Sequence, residues 1–309
     1  MGKYYSNGKL LLTGEYFILE GAEGLALPTT YGQSLKVEPN NSNVLNWESF
    51  DENNNCWLHC VFELPKIRLV EANFNAYEDG GNDTLAETLA RILSEVKLLN
   101  PQFLHASTGV NVKTQLTFPR NWGLGTSSTL INNIALWAGV NPYLLLSKTF
   151  GGSGYDIACA QHNSPIIFSK KNEIAKVKPV TFNPEFKDQL YFVHLNKKQN
   201  SRLGIQNFNT NKHNVTTEIE TISILTTEIL NCKTISEFNT LIKEHESLVS
   251  KIIKNKPVQE MLFPDYFGQT KSLGAWGGDF ILATGNESTP NYFKQKGFFT
   301  VIPFSKMIL

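Results

Sequence analysis

The chain has 309 residues, 41% of them hydrophobic, and its 28 lysines and arginines are balanced by 28 aspartates and glutamates. Such a composition is that of an ordinary globular protein long enough for two domains. Zero net charge offers no basic surface to nucleic acid or to an anionic membrane, and no apolar run is long enough to span a bilayer, so we expect neither partner.

The first half of the chain mixes strand-like and helix-like segments. Residues 8–21 contain two apolar runs separated by Thr13-Gly14-Glu15, which predicts two strands joined by a turn. Residues 41–55 are rich in Asn, Ser, Asp and Glu and predict a loop. β-propensity and helical periodicity then predict strands at 56–64, 109–118 and 164–170, and helices at 83–99, at 127–137 and after Asn141-Pro142.

The second half predicts two long helices followed by a strand, a short helix and a strand. The strands are predicted at 189–195, 279–284 and 298–304, and the helices at 215–231, 235–254 and 288–297. This order favours an α+β protein, which we divide into an N-terminal domain, 1–172, and a C-terminal domain, 173–309.

A glycine-rich stretch precedes the helix at 127–137. Residues 119–129 read PRNWGLGTSST, with two glycines followed by four hydroxyl side chains. A helix N-terminus has unpaired amides and a partial positive charge, and glycines before it let an anion approach the backbone. The stretch therefore predicts either a phosphate-binding loop or a simple glycine turn with a hydroxyl cap; it matches neither the Walker nor the dinucleotide pattern.

Two further glycine-rich stretches carry candidate functional residues. FGGSGYDIACA, at 150–160, places Asp156 just after a glycine-serine turn, where it could act in catalysis or only cap a helix. KSLGAWGGDFILAT, at 271–284, places three glycines before a strand, which indicates backbone packed closely against a ligand or another element.

Together with the opening segment GKLLLTGEY, these stretches resemble the motifs of the GHMP kinases, in their order along residues 8–284. Gly8-Lys9 through Glu15 is similar to the first motif, and Pro119 through Ser127 to the second, with Thr126 in the place of a serine. Ser153 through Asp156 matches the Ser-Gly-x-Asp element. Gly274 to Gly278 resembles the third motif, with Trp276 replacing a glycine.

The resemblance implies a two-domain α+β fold, with an N-terminal domain like domain 2 of ribosomal protein S5 and a ferredoxin-like C-terminal domain. It also implies transfer of the γ-phosphoryl group of ATP, with Mg²⁺, to an alcohol or phosphate of a small molecule. In this implied site Asp156 is the catalytic base, Lys9 its cationic neighbour, and Ser127 the metal ligand. The implied nucleotide-binding residues are Asn121, Gly123, Leu124, Gly125, Thr126, Ser127 and Ser128.

Three details resemble the mevalonate and phosphomevalonate kinases, and phosphomevalonate kinases in particular: Tyr16 after Glu15, Asp279 after two glycines, and the segment at 196–202. A lysine and a serine in that segment could hold a substrate phosphate, or could belong to a solvated loop. The substrate contacts implied by the resemblance are Glu15, Tyr16, Ser153, Gly154, Lys198, Ser201, Gly274, Ala275 and Gly277.

One departure from the family pattern keeps alternatives open. Many family members supply a magnesium-binding glutamate before the Ser-Gly-x-Asp element, whereas residues 130–150 contain no acid at all. The shortened segment and GSGYDIA are typical of a distinct branch. A diphosphomevalonate decarboxylase and a catalytically silent nucleotide or metabolite sensor therefore stand beside the kinase. The four cysteines form no disulfide framework, which favours a reducing cytoplasm, and a homodimer is left open.

Overall fold

The computed structural model describes residues 1–72, 84–105, 108–172, 174–197, 201–212 and 214–309, and of residues 201–203 it describes the backbone. Its contacts divide the chain into two compact units. The first unit comprises residues 1–8, 31–120 and 124–161, and the second comprises residues 9–30, 121–123 and 162–309. The chain therefore enters each unit more than once, and the domain boundary at residue 172 stays a prediction.

The described secondary structure of the first half of the chain opens with five strands and then combines four helices with three more strands. Its elements are β1 (Gly2–Leu11), β2 (Gly24–Pro39), β3 (Val44–Phe50), β4 (Cys56–Glu63), β5 (Arg68–Ala72), α1 (Leu85–Leu99), β6 (Val110–Leu116), α2 (Thr126–Ala138), α3 (Pro142–Thr149), α4 (Tyr155–Gln161), β7 (Ile166–Lys171) and β8 (Ile174–Pro179).

The longest elements of the second half are helices. Its elements are β9 (Leu190–His194), α5 (Ser201–Asn211), α6 (Thr216–Asn231), α7 (Ile235–Ile253), α8 (Val258–Leu262), β10 (Thr270–Ser272), β11 (Phe280–Thr284), α9 (Thr289–Gln295), β12 (Val301–Pro303) and α10 (Phe304–Met307). Three short 3₁₀ helices, at Phe17–Glu20, Arg120–Trp122 and Lys187–Gln189, complete the described elements.

The first unit is a mixed sheet covered by helices. Its strands lie in the order β5-β4-β3-β6-β2, with β3 and β6 parallel and the other pairs antiparallel. Trp47 of β3 and Phe62 of β4 are fully buried in a hydrophobic core with Leu93 of α1 and Ile134 of α2. Burial of this apolar face is the main stabilising contribution of the unit.

The second unit contains two antiparallel arrangements. Gly24–Ala26 of β2 pairs with β7, which pairs with β8, and a four-stranded sheet has the order β10-β11-β9-β12. One hydrophobic core joins the segment after β1 to α5, α6 and α7, and a second core lies against the four-stranded sheet.

Most local predictions are confirmed. Helices α1, α2 and α3 lie where they are predicted, Gly139 ends α2 in the left-handed conformation, and Asn141 caps α3. The capping box of Thr84 and Glu87 at the start of α1 is not among the predictions. Two predictions are wrong. Phe17–Glu20 is a 3₁₀ helix because Gly14 and Gly21 turn the chain at both of its ends. The polar segment at 41–55 contains β3, whose residues 45, 47 and 49 all point into the core.

No described helix combines the length and apolar character that crossing a membrane requires.

Candidate active site

In the second unit, Lys9 forms a hydrogen bond with residues 121–123 of the glycine-rich stretch at 119–129, which we call the central loop. The Lys9 Nζ ammonium donates to the Gly123 carbonyl oxygen at 2.9 Å. His194 of β9 donates from Nε2 to the Asn121 carbonyl at 3.2 Å. Trp122, which lies between Asn121 and Gly123 in the sequence, packs edge-to-face on Phe280 with ring centroids 5.4 Å apart. Residues 121–123 are therefore held by contacts with β1, which precedes them in the sequence, and with β9 and β11, which follow them.

Asp279 lies directly against Gly123. A Cβ built on Gly123 would lie 2.6 Å from the Asp279 Oδ1 oxygen, and Gly123 has φ of +67°. Only glycine satisfies both the close approach and the left-handed backbone without strain. The Asp279 backbone is held by hydrogen bonds to Leu195 and Lys197. In the sequence, Asp279 is only a point of resemblance to phosphomevalonate kinases, and no pattern predicts its contact with the central loop.

The third glycine-rich stretch connects β10 to β11. Gly274 and Gly277 both have positive φ, and a Cβ on either residue would have no described atom within 4 Å. These two backbone positions therefore face open space that a ligand could approach. Trp276 between them is 1% exposed and belongs to the same hydrophobic core as Tyr16. Trp276 is thus a packing residue, and Ala275 is likewise buried.

A buried charge cluster, made of Glu15, His245, Glu246 and Lys271, lies beneath the first and third motifs. Lys271 Nζ forms an ion pair with Glu15 Oε1 and lies 3.2 Å from Glu246 Oε1. The Ser272 hydroxyl donates to Glu246 Oε2 at 3.0 Å. All four ionisable side chains are almost completely inaccessible to water. No sequence signal revealed this cluster.

Burial shifts the protonation of this cluster. It raises the pKa of Glu15 to about 7, although the Lys271 charge acts in the opposite direction, and it also raises the pKa of Glu246. Burial, followed by the Lys271 charge, lowers the pKa of His245 well below 6.5. His245 Nε2 accepts a hydrogen bond from the Gly14 amide at 3.1 Å, which requires an unprotonated nitrogen. Its 3.4 Å contact with Glu15 Oε2 is therefore not an ion pair.

In the first unit, α2 begins with the hydroxyl residues of the central loop. Gly125, with φ of +94°, immediately precedes the helix. Ser128 donates back to the Gly125 carbonyl at 2.9 Å, so its hydroxyl is used within the helix turn. Ser127 is exposed and Thr126 half-buried. The side chains available to an incoming anion at this helix start are those of Thr126 and Ser127, while Leu124 is fully buried.

A buried polar network fastens α2 to its neighbours in the first unit. Ser6 bonds both Asn132 and Asn133, at 2.9 and 2.8 Å. Asn133 also donates to the Gln33 carbonyl, and Gln161 at the end of α4 donates to Asn132. The network satisfies polar groups that would be costly to bury alone. The network therefore holds α4 against α2, the helix that follows the central loop.

Asp156 lies in the first turn of α4 and is half-buried. Tyr143 of α3 packs on the preceding turn, since a Cβ on Gly154 would lie 3.0 Å from the Tyr143 ring. The pKa of Tyr143 is raised to about 12, by burial first and then by the nearby negative charges of Asp156 and Cys159. Ser153 is half-buried at the start of this turn. Asp156 is therefore close enough to Tyr143 for its charge to oppose ionisation of the phenol.

Metal ligands of the carboxylate or imidazole type are sparse. Within the described parts of the chain no group of three or more His, Cys, Asp and Glu side chains could hold a metal ion. Of the predicted substrate contacts, Lys198 lies outside the described residues, and only the backbone of Ser201, at the start of α5, is described. Glu15 and Tyr16 are buried and offer almost no surface to a substrate.

Comparisons with known proteins agree with this architecture. No family model and no curated protein matches the sequence. The mevalonate kinase of Methanococcus jannaschii is 16% identical over 97% of this chain and 96% of its own, with a TM-score of 0.69. The Streptococcus pneumoniae phosphomevalonate kinase, solved with phosphomevalonate and AMPPNP, is 13% identical over 96% of both chains, with a TM-score of 0.67.

The mevalonate diphosphate decarboxylase of Staphylococcus aureus is also similar, at 12% identity over 96% of this chain and 90% of its own, with a TM-score of 0.57. All three relatives share the GHMP kinase fold. The chain therefore has the GHMP kinase fold, and the fold predicted from the motif resemblance is confirmed.

Proposed function

We propose that the protein is an ATP-dependent small-molecule kinase that transfers a phosphoryl group to an alcohol or phosphate acceptor of the mevalonate or phosphomevalonate type. The observation that carries the proposal is the junction at Gly123, where Lys9 of the first motif and Asp279 after the third motif both reach the central loop. The meeting of three segments that are far apart in sequence at the central loop supports the proposal.

Each proposed catalytic role follows from a side chain's chemistry and placement. Asp156, in the first turn of α4, would accept the proton of the attacking hydroxyl. Lys9 would neutralise negative charge that develops on the transferred group. Thr126 and Ser127, at the start of α2, would receive phosphate oxygens together with the helix amides. Phosphoryl transfer depends chiefly on such positioning and charge neutralisation.

The described residues also fit ATP carrying a magnesium ion. Mg²⁺ usually keeps several waters and takes only one or two protein ligands in addition to substrate phosphates. The exposed Ser127 hydroxyl can supply one such ligand, and a full protein cage is not required. When bound, the ion would neutralise phosphate charge. The fold neighbour solved with AMPPNP supports nucleotide binding.

The open backbone of Gly274 and Gly277, in the second unit, and the turn at Ser153-Gly154, in the first unit, are each proposed substrate contacts. We assign the buried Glu15 and Tyr16 to holding the turn after β1, because neither has the exposed surface that a substrate contact needs. Lys198 and Ser201 remain proposed contacts for a substrate phosphate.

A coupled ADP-release assay over mevalonate, phosphomevalonate, homoserine and simple sugars tests the proposal. We expect turnover with at least one acceptor and its loss in Asp156→Asn, with ATP binding retained. Asp188→Asn, at an exposed position, is the matched control and should keep full turnover. Near-complete activity in Asp156→Asn would remove Asp156 from its assigned role, and absence of ADP release with every acceptor would refute the kinase.

The decarboxylase is the second candidate, and the fold match with a mevalonate diphosphate decarboxylase favours it. Carbon dioxide and phosphate released from diphosphomevalonate would identify that activity. The sensor is favoured by the absence of any acid in residues 130–150. Nucleotide binding without turnover on any of these substrates would identify it.

A further inference from the structure

The buried charge cluster contains more negative than positive groups. Lys271 is its only cation, because His245 accepts the Gly14 amide and is neutral. The other charged groups that face it are Glu15, from the turn after β1, and Glu246, from α7. Two ionised carboxylates beside one ammonium would leave a net charge in a site without water, which is strongly unfavourable.

Charge balance in the cluster calls for one proton on the two carboxyl groups. Glu15 Oε1 is bonded to Lys271 and Glu246 Oε2 to Ser272. Glu246 Oε1 also lies 3.2 Å from Lys271 Nζ, so one ammonium faces both carboxyl groups. A single proton on either carboxyl group would make the cluster neutral. In such a coupled pair the proton belongs to the pair and not to one residue.

The cluster also joins the sequence segments that meet at Gly123. Glu15 follows β1, which carries Lys9, and Lys271 lies in β10, which leads into the third glycine-rich loop and Asp279. We propose that Lys271, paired with Glu15 and balanced by one proton shared between Glu15 and Glu246, is a positioning residue that holds Lys9 and Asp279 in register at Gly123. The kinetic consequence rests on the proposed kinase function, whereas the structural consequence does not.

Lys271→Met tests the positioning role, with Lys251→Met, an exposed position on α7, as the matched control. We expect faster amide hydrogen exchange at residues 12–16 and 272–280 in Lys271→Met at pH 8, and protection that recovers at pH 6, where both carboxyl groups can hold protons. Catalytic efficiency should fall by about 10-fold or more, as expected when active-site geometry is loosened. Exchange equal to the control in both segments would overturn the proposal.

Glu246→Gln tests the shared proton and folds even if Lys271→Met does not, because it leaves one carboxylate beside one ammonium. Its control is Glu244→Gln, exposed on the same helix. In the wild type the folded state keeps, up to a pH of about 7, a proton that the unfolded chain loses near pH 4.5, so stability falls as pH rises between these two values. Between pH 5 and 7 the melting temperature of Glu246→Gln should therefore gain about 4 °C on that of the wild type.

His245 is present in both proteins, so its titration cancels from this comparison. A melting difference between Glu246→Gln and wild type that does not change with pH would refute the shared proton. If the wild type releases no ADP, the kinase proposal fails, yet the exchange and melting measurements still decide whether the cluster acts as proposed.

Discussion

Replacing Gly123 by alanine is the sharpest test of the junction between the central loop and Asp279. The new methyl group would sit 2.6 Å from Asp279 Oδ1, well inside van der Waals contact, on a residue with φ of +67°. Gly123→Ala therefore carries two separate free-energy costs, one from the left-handed backbone conformation and one from the steric conflict with Asp279. They can be separated with variants that carry only one of them.

The left-handed conformation costs a residue with a side chain about 1–2 kcal/mol. Forcing an extra methyl group into a packed contact costs about 1–3 kcal/mol. Gly123→Ala should therefore lose about 2–5 kcal/mol of unfolding free energy. Gly139→Ala should lose only the first part, because Gly139 has φ of +65° and its Cβ would meet no described atom within 4 Å.

Urea unfolding of a double-mutant cycle measures the steric part. In an Asp279→Ala background the conflict is removed, so Gly123→Ala should cost no more than Gly139→Ala does in the wild type. The coupling between positions 123 and 279 should then be about 1–3 kcal/mol. Equal costs of Gly123→Ala with and without the Asp279 side chain would show that the two residues do not touch as described.

Two further predictions concern charge and buried polarity. If Lys9 neutralises the transferred group as proposed, Lys9→Met should lower kcat by about 10²–10³-fold. Exposed Lys3→Met should leave kcat unchanged in the ADP-release assay. Asn133→Asp should destabilise the first unit by about 2–4 kcal/mol at pH 7, because a buried carboxylate cannot replace the bond that Asn133 donates to the Gln33 carbonyl. Urea unfolding should show that this loss of stability becomes smaller towards pH 4, where the carboxyl group is protonated. The control Asn43→Asp, at an exposed position, should change stability little. A loss in Asn133→Asp that is independent of pH would contradict the buried network.

Local signals predicted much of the helical structure correctly. Asn141 caps α3 and Gly139 ends α2, because caps are decided by residues within one turn of each other. The same local signals failed for Phe17–Glu20, whose apolar side chains pack on a core built mainly by α5, α6 and α7. They also missed β2, whose pairing with β6 and β7 is settled by residues far away in the chain.

The sequence by itself determined the order of the three glycine-rich motifs, the cap that ends α2, the cap that starts α3, and the α+β class, because each depends on neighbouring residues or on the periodicity of apolar residues. Tertiary structure alone decided that Lys271 would be buried against Glu15, 256 residues away, and that Asp279 would close on Gly123. A lysine in isolation favours water. Only the folded chain brings the carboxylate that makes its burial tolerable, and no local pattern encodes that partner.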